Sequence, residues 1–286
     1  MKMKKLITLF LFCFVVLGNG FAQDFDYSED FPRLFQESKV ENNPFFYPTL
    51  KARFLKEGEH FSEVELLALL VGQTAQKTYN AYGMVGLEST FLGAERFPAD
   101  TVLKYGKLVQ ELNPVSLSLN FGLWKAYEKA NNPEYAAVYK QRFDLICETI
   151  LASGDGSRIR PYLVISPVDG TVLISKYWKE NLSQMGSGEN EAGYFLDILT
   201  YKKGNEEKTL HFVIDHGMGS LSKMMQQIIQ DQSKWVDNSA CWKKNYFWSY
   251  DKVAICPLKR QFPQVHISTG EDDADFFSGK ALLVGQ

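Results

Sequence analysis

The sequence has no excess of positive charge. It contains 31 basic and 34 acidic residues, which gives a formal net charge of −3 at pH 7. Proteins that bind nucleic acids or anionic membranes draw much of their affinity from clustered Lys and Arg side chains. We therefore expect no nucleic-acid partner and no attachment to an anionic lipid surface.

Long apolar runs are also missing. The run Leu6–Leu17 is shorter than the roughly 20 apolar residues that a membrane-spanning helix needs, and three lysines precede it. This order, closed by the small residues Gly20 and Ala22, is typical of a cleavable secretory signal. We predict a signal peptide over residues 1–22, with cleavage after Ala22 or Gln23. The mature chain is then exported, soluble and without a membrane span, in the periplasm or the medium, and its net charge is −6.

Cysteines are few. Four are present, and one of them lies inside the signal segment. Cys241 and Cys256 enclose a short loop, and a disulfide there would stabilise the C-terminal region by about 3 kcal/mol on the chain-entropy model. The alternative is that all remaining thiols are free. Cys147 falls in a stretch of helical periodicity, so we expect it to be a buried small hydrophobic residue.

The N-terminal half, residues 24–156, has helical periodicity. Asn132-Pro133 places a capping residue and a first-turn proline before apolar residues that recur on one helical face up to Ile150. Gly154 and Gly156 then end this helix. The sequence therefore predicts an α+β fold with a helical first half.

The second half changes to the periodicity of strands. Residues 162–166 and 171–178 are predicted to form a hairpin around Asp169-Gly170, because Asp-Gly is a strong two-residue turn signal. A polar loop is predicted over residues 181–191. The remaining predicted elements are a second hairpin from strands 193–202 and 209–215 around the charged turn 203–208, and a short helix over 220–230, which Ser220 would cap. Together these elements make up a region over 157–230, followed by an aromatic-rich segment over 231–286.

The stretch from Pro98 to Leu151 resembles a tetratricopeptide-type helix pair. Leu123 and Tyr127 lie four residues apart on one helix, and Ala136 follows on the next. In such repeats the leucine and tyrosine fill the seam between helices, and the alanine permits close approach. Trp124 departs from the pattern, since it stands where glycine is usual.

Several short segments together carry a family resemblance. They are Tyr47-Pro48 with Arg53-Phe54, the run from Leu70-Val71-Gly72 to Tyr79-Asn80-Ala81-Tyr82, and Ser153-Gly154-Asp155-Gly156 with the strands that follow. In these segments the chain resembles an exported bacterial family known as domain of unknown function 4919. The resemblance covers roughly residues 45 to 215 and implies export with a helical-then-strand layout; it implies no activity and no catalytic residues.

Motifs that would specify a reaction are absent. Gly217-Met218-Gly219-Ser220 lacks the lysine of a phosphate loop and does not match a nucleophile elbow. The one local cluster of ligand-type residues is His211, Asp215 and His216, which would serve a metal-dependent hydrolase. A histidine at a strand end followed by an Asp-His-Gly turn explains the same residues without any chemistry.

Aromatic residues supply the binding hypotheses. Tyr79 and Tyr82, with Trp124 and Tyr127, are candidates to line a groove of the helical half. The C-terminal aromatics from Trp235 to Tyr250 would suit a carbohydrate-binding surface, or they fill a small core. We expect a non-catalytic module that binds a protein or peptide partner in the cell envelope, with no cofactor. The alternatives are a metal-dependent envelope hydrolase and a carbohydrate-binding protein.

Overall fold

A computed structural model describes residues 25–222 and Gln226 of this chain. Helices occupy the first part of the described chain, as the periodicity predicts, and a sheet follows them. The helices are α1 (Tyr27–Glu37), α2 (Tyr47–Leu55), α3 (Glu63–Thr74), α4 (Val85–Leu92), α5 (Ala99–Leu112), α6 (Leu117–Lys129) and α7 (Pro133–Ala152), with a 3-10 turn at Ala94–Arg96. Among these described residues no helix has both the length and the apolar character needed to cross a bilayer.

The helix boundaries follow from local capping chemistry. Ser62 and Glu65 form a capping box at the start of α3, in which each side chain accepts from the other residue's backbone N–H. The Asn132 side chain accepts from the N–H of Tyr135 at the start of α7, and Pro133 occupies the first helical position. The predicted helix that begins at Pro133 is therefore confirmed.

Helix α6 lies at the centre of the helical half and packs against α4, α5 and α7. Two glycines allow these close approaches. A side chain at Gly106 of α5 would meet the Leu123 side chain of α6, and a Cβ at Gly122 of α6 would lie 2.8 Å from the carbonyl oxygen of Phe91 in α4. The middle of α6 therefore lies close against α4.

The sheet has four strands in the order β1-β4-β3-β2. β1 pairs with β4 in parallel, whereas β2, β3 and β4 are antiparallel. Lys203 and Glu206 face each other across a two-residue turn, in which Gly204 has a φ of +63°. The second predicted hairpin is confirmed. The strands are β1 (Tyr162–Leu163), β2 (Asn181–Glu189), β3 (Phe195–Lys203) and β4 (Glu206–Val213).

The first predicted hairpin is wrong. Asp169-Gly170 begins the short helix α8 (Asp169–Val172), which continues as a π-helical turn over Leu173–Tyr177. The reason is that the Asp169 carboxylate accepts from the backbone N–H groups of Ile165 and Ser166, which folds the chain back into a helical start. Gly170 then sits against the sheet, where a Cβ would lie 2.8 Å from Leu199 Cδ1.

Two further boundaries differ from the prediction. The segment predicted as a polar loop over 181–191 contains the edge strand β2, most of whose residues are exposed. An edge strand whose faces lie largely outside the core needs no apolar alternation, so its polar sequence concealed it. The last helix begins at residue 215 and continues through 222, so Ser220 lies within it and is not its cap.

The helices and the sheet share one hydrophobic core. Leu50 of α2, Leu69 of α3 and Phe143 of α7 belong to the same buried cluster as Leu163 of β1 and Phe212 of β4. A second cluster fills the space among α4, α5, α6 and α7. The described halves are therefore packed onto each other through their apolar faces.

We expect Gly122→Ala to destabilise the protein by about 1–3 kcal/mol. The added methyl group meets the backbone of α4, and overpacking of this kind outweighs the gain of roughly 1 kcal/mol that alanine brings to a helix. Denaturant unfolding measures the change. The matched control is Gly219→Ala, because that helical position has open space around its Cβ and should lose no stability. Equal stability of both variants would contradict the packing described for α4 and α6.

Candidate functional site

A small cleft opens where three loops converge. The loops connect α3 to α4, α5 to α6, and β1 to α8. We call it the Glu88 cleft, because the Glu88 carboxyl is the one charged group in its wall. Its lining residues are Gln73, Thr78, Tyr79, Asn80, Ala81, Met84, Glu88, Leu112, Asn113, Ile165 and Ser166.

Glu88 is buried inside the protein. It lies near the start of α4, and only 2% of its surface is exposed. Its carboxyl accepts hydrogen bonds from two serine hydroxyls, Ser116 Oγ at 3.2 Å and Ser166 Oγ. Burial raises the pKa of Glu88 to about 7, against the opposing effect of the two serine hydrogen bonds. Near neutral pH this carboxyl therefore exists in both protonation states.

Asp169 is a second buried carboxyl in the same region. Its Oδ2 accepts from the N–H groups of Ile165 at 3.1 Å and Ser166 at 2.9 Å. Its Oδ1 is buried and has no hydrogen-bond partner among the described residues. Burial and the negative charge of Glu88 both raise the pKa of Asp169 well above its ordinary value. The two negative charges would repel each other, so the simultaneous ionisation of both carboxyls is unfavourable.

Tyr79 links the α3–α4 loop to the loop after β1. Its hydroxyl donates to the Ile165 carbonyl at 2.9 Å, and its ring stacks on His216 with a centroid separation of 6.2 Å. Burial raises the pKa of Tyr79 well above its usual range, and the charges of Asp169 and Glu88 add to this effect. Tyr79 therefore stays protonated and serves as a hydrogen-bond donor. Tyr82, from the same loop, donates to Met218 Sδ at 3.4 Å.

The three candidate metal ligands do not converge. His211 Nδ1 contacts the Gly156 carbonyl at 3.2 Å, and the Asp215 carboxylate accepts from the backbone N–H of Phe195 at 3.1 Å. Among residues 25–222, no group of three or more His, Cys, Asp and Glu side chains is placed to hold a metal ion.

His216 is enclosed by aromatic rings. The Tyr27 hydroxyl lies 3.2 Å from its Nδ1, and the Phe31 ring stacks on it at 4.8 Å. Burial lowers the pKa of His216 to about 3, with a smaller opposing contribution from the Val164 backbone. This histidine is neutral at physiological pH and packs α1 against the start of the last helix.

Trp124 and Tyr127 lie on α6, outside the lining of the Glu88 cleft. The Trp124 indole donates to Glu128 at 2.7 Å and lies under the ammonium groups of Lys125 and Lys140. Tyr127 stacks between Tyr135 and Tyr139. Of the four predicted binding residues, Tyr79 alone lines the cleft.

Other sequence candidates lie elsewhere. Cys147 is buried, as its periodicity predicts, and it forms no disulfide within the described part of the chain. Cys241 and Cys256, the C-terminal aromatics from Trp235 to Tyr250 and the predicted signal segment fall outside the described residues.

Two local sequence patterns mark residues that build the cleft. Ser166 and Asp169 have the spacing of a capping box, and Pro167 suits a first helical turn. Glu88 is the only charged residue in an otherwise apolar and small α4. A buried helix with a single acid is a signal for a polar site in the core.

The chemical character of the cleft is that of a hydrogen-bond acceptor. The Glu88 carboxyl has lone pairs left after its two serine bonds, and Asn113 Oδ1 is a buried oxygen without a partner among the described residues. No Lys, Arg or His lines the cleft. Such a site accepts a donor group, and it exchanges a proton near neutral pH.

We expect Glu88→Gln to remove a pH dependence of stability. The folded-state pKa of Glu88 is raised from 4.5 to about 7, so its contribution to stability is fully present below about pH 4.5 and is lost as pH rises through 7. Over that window the loss is at most about 3 kcal/mol. In urea unfolding between pH 5 and 8, the free energy of unfolding of the wild type should fall as the pH rises. The free energy of unfolding of the variant should change less.

The control for this experiment is Glu148→Gln, which changes an exposed glutamate of α7. It should retain the wild-type slope. A wild-type slope in Glu88→Gln as well would mean that Glu88 does not titrate between pH 5 and 8.

Comparison with known proteins gives one match. A model of the family described as domain of unknown function DUF4919 matches residues 35–218, a range that includes every residue lining the Glu88 cleft. No curated protein and no solved structure matches the chain. Because the family model matches more than half of the sequence, this chain belongs to the DUF4919 family.

Proposed function

We propose that this protein is an interaction module of the cell envelope, which binds a protein or peptide partner at the Glu88 cleft. The observation that carries the proposal is the convergence of three loops around a buried carboxyl with a pKa of about 7. A pocket with apolar walls, a few convergent polar groups and a perturbed titratable residue is the first place to expect a ligand.

The architecture around the cleft supports this role. The loops are held by helices on one side and by the sheet on the other, so that the lining residues have a rigid base. Gln73 of α3 donates to the Leu112 carbonyl at 3.0 Å and accepts from the Tyr47 hydroxyl. These bonds fix one wall of the cleft before any partner arrives, which lowers the entropy lost on binding.

The sequence outside the described residues supports the location. The N-terminal segment has the order of a secretory signal, which is the basis for proposing export to the periplasm or the medium. The close packing of Gly106 of α5 against Leu123 of α6 supports the proposal that these helices form a tetratricopeptide-like pair.

The carboxyl pair supports a second candidate function, general acid–base catalysis on a substrate held in the cleft. Burial raises the pKa of Glu88 to about 7, and burial together with the charge of Glu88 raises the pKa of Asp169 well above its ordinary value. A carboxyl whose pKa lies near the operating pH is what such chemistry requires. A screen with chromogenic ester, peptide and glycoside substrates tests it, because turnover lost in both Glu88→Gln and Asp169→Asn would favour catalysis over binding.

We expect a photo-cross-linking amino acid at Thr78 to capture a discrete partner in cells that express the protein. Thr78 is exposed at the mouth of the cleft. Adding Met84→Trp should abolish the cross-link, since the indole fills the cleft from its wall. Mass spectrometry of the cross-linked product reads both outcomes.

A cross-linker at Glu148 on α7 is the matched control and should give no common product. Thermal unfolding must show that Met84→Trp still folds. A Thr78 product that persists in the folded Met84→Trp variant would contradict binding inside the cleft, and the absence of any Thr78 product would contradict a partner at this surface.

A further inference from the structure

We propose that the Glu88 cleft recognises a primary ammonium group carried on an aliphatic stem, as in the side chain of a lysine of the partner. This inference rests on the proposed function, in which a partner enters the same cleft. It adds the chemical class of the group that is bound and the residue that binds it.

The lining of the cleft presents oxygen acceptors. The Glu88 carboxyl uses one hydrogen bond from Ser116 and one from Ser166, and a carboxylate has about four acceptor positions. Asn113 Oδ1 is a further buried oxygen that lacks a partner within the described part of the chain. An ammonium group has three donors and no acceptor, so it matches this set of oxygens.

The walls of the cleft suit an aliphatic stem. Ala81, Met84, Leu112 and Ile165 contribute apolar surface to its lining. A lysine side chain has four methylene groups behind a compact charged head. Its stem packs on apolar walls while its head reaches polar groups.

The charges that line the cleft favour a positively charged ligand. No basic side chain lines the cleft, and its one charged group is an acid. An ionised carboxyl that is 2% exposed is costly unless a positive charge pairs with it. A neutral or anionic ligand leaves that cost in place, whereas an ammonium group offsets it.

Asp169 supports the wall of the cleft from outside its lining. It is 2% exposed, and its Oδ1 has no hydrogen-bond partner among the residues that the structure describes. Its other oxygen fixes the backbone of Ile165 and Ser166, two residues of the cleft wall. Asp169 thus holds the cleft wall in place, whereas the acceptor positions that a ligand can use are those of Glu88 and Asn113.

Binding should be coupled to loss of a proton from Glu88. The groups that face this carboxyl from the neighbouring elements are Ser116 of the α5–α6 loop, Ser166 and Asp169 of the loop and helix after β1, and Tyr79 of the α3–α4 loop. None of them carries a positive charge. The ligand therefore supplies the charge that favours ionised Glu88, and affinity should rise with pH through the pKa of about 7.

Isothermal titration calorimetry on the mature full-length protein tests the inference. The probe is N-acetyl-lysine amide, and the matched probes are N-acetyl-norleucine amide and N-acetyl-(Nε-acetyl)lysine amide, which keep the stem without the charge. We expect the lysine probe to bind at least tenfold more tightly than either. Its affinity should be about tenfold higher at pH 8 than at pH 6, as follows from a pKa of about 7, because lysine itself stays protonated over this range.

Variants of cleft residues test whether the preference for the lysine probe arises in the cleft. Glu88→Gln should lose the preference for lysine and its pH dependence, whereas Glu148→Gln should keep both. Met84→Trp, which leaves Glu88 intact, should lose binding and serves if Glu88→Gln does not fold. A lysine-free dipeptide amide with an unblocked N-terminus distinguishes a terminal amine from a lysine side chain, and tighter binding of that dipeptide would overturn the assignment to lysine.

Equal binding of the lysine and norleucine probes, or unchanged binding in folded Glu88→Gln, would overturn the inference. These results are separable from a failure of the proposed function. A cleft-dependent cross-link from Thr78 without any preference for lysine leaves the interaction module in place and refutes the ammonium site. Binding of lysine without any Thr78 product refutes the partner alone.

Discussion

The buried Glu88 carboxyl is the interaction on which the centre of the structure depends. It receives hydrogen bonds from Ser116, which also caps α6 through the N–H of Leu119 at 3.2 Å, and from Ser166, whose own N–H is fixed by Asp169. One side chain thus joins α4, the start of α6 and the loop that leads out of the sheet. The helical part and the strand-rich part meet at this acid.

A buried titratable carboxyl lowers the stability of the folded protein. Burying a carboxyl that titrates near neutral pH weakens the folded state as pH rises, and an apolar residue at Glu88 would avoid that cost. The surrounding core is otherwise densely apolar: Leu117 and Leu119 of α6 and Phe91 of α4 are all fully buried. Perturbed acids within a cleft are commonest where a protein binds or reacts, which is why we assign function to this position.

The elements with local signals were predictable from the sequence. Asn132-Pro133 fixed the start of α7, and the charged turn between β3 and β4 fixed the second hairpin. The hairpin predicted at Asp169-Gly170 is wrong because the capping spacing from Ser166 outweighs the turn signal. The carboxylate of Asp169 accepts from the Ser166 N–H, and a helix starts there. Strand β2 was not predicted because an edge strand has little apolar alternation.

The site itself was largely hidden in the sequence. Tyr79 was identified from its aromatic character, but Glu88, Ser116 and the pair Ser166 and Asp169 come from three separate segments whose convergence only tertiary packing determines. Each of them looks ordinary alone: an acid in a short helix, two helix-capping serines and a turn aspartate. The conspicuous cluster around His211 instead holds backbone groups and aromatic rings in place.

The most direct test of this account is an NMR titration of the glutamate side-chain carboxyl carbons between pH 3 and 9. The account predicts one glutamate that titrates at about pH 7 and whose signal is missing in Glu88→Gln. If every glutamate titrates at about 4 to 5, the range of solvated carboxyls, then Glu88 is neither desolvated nor poised to exchange a proton, and the cleft is not the functional centre of this protein.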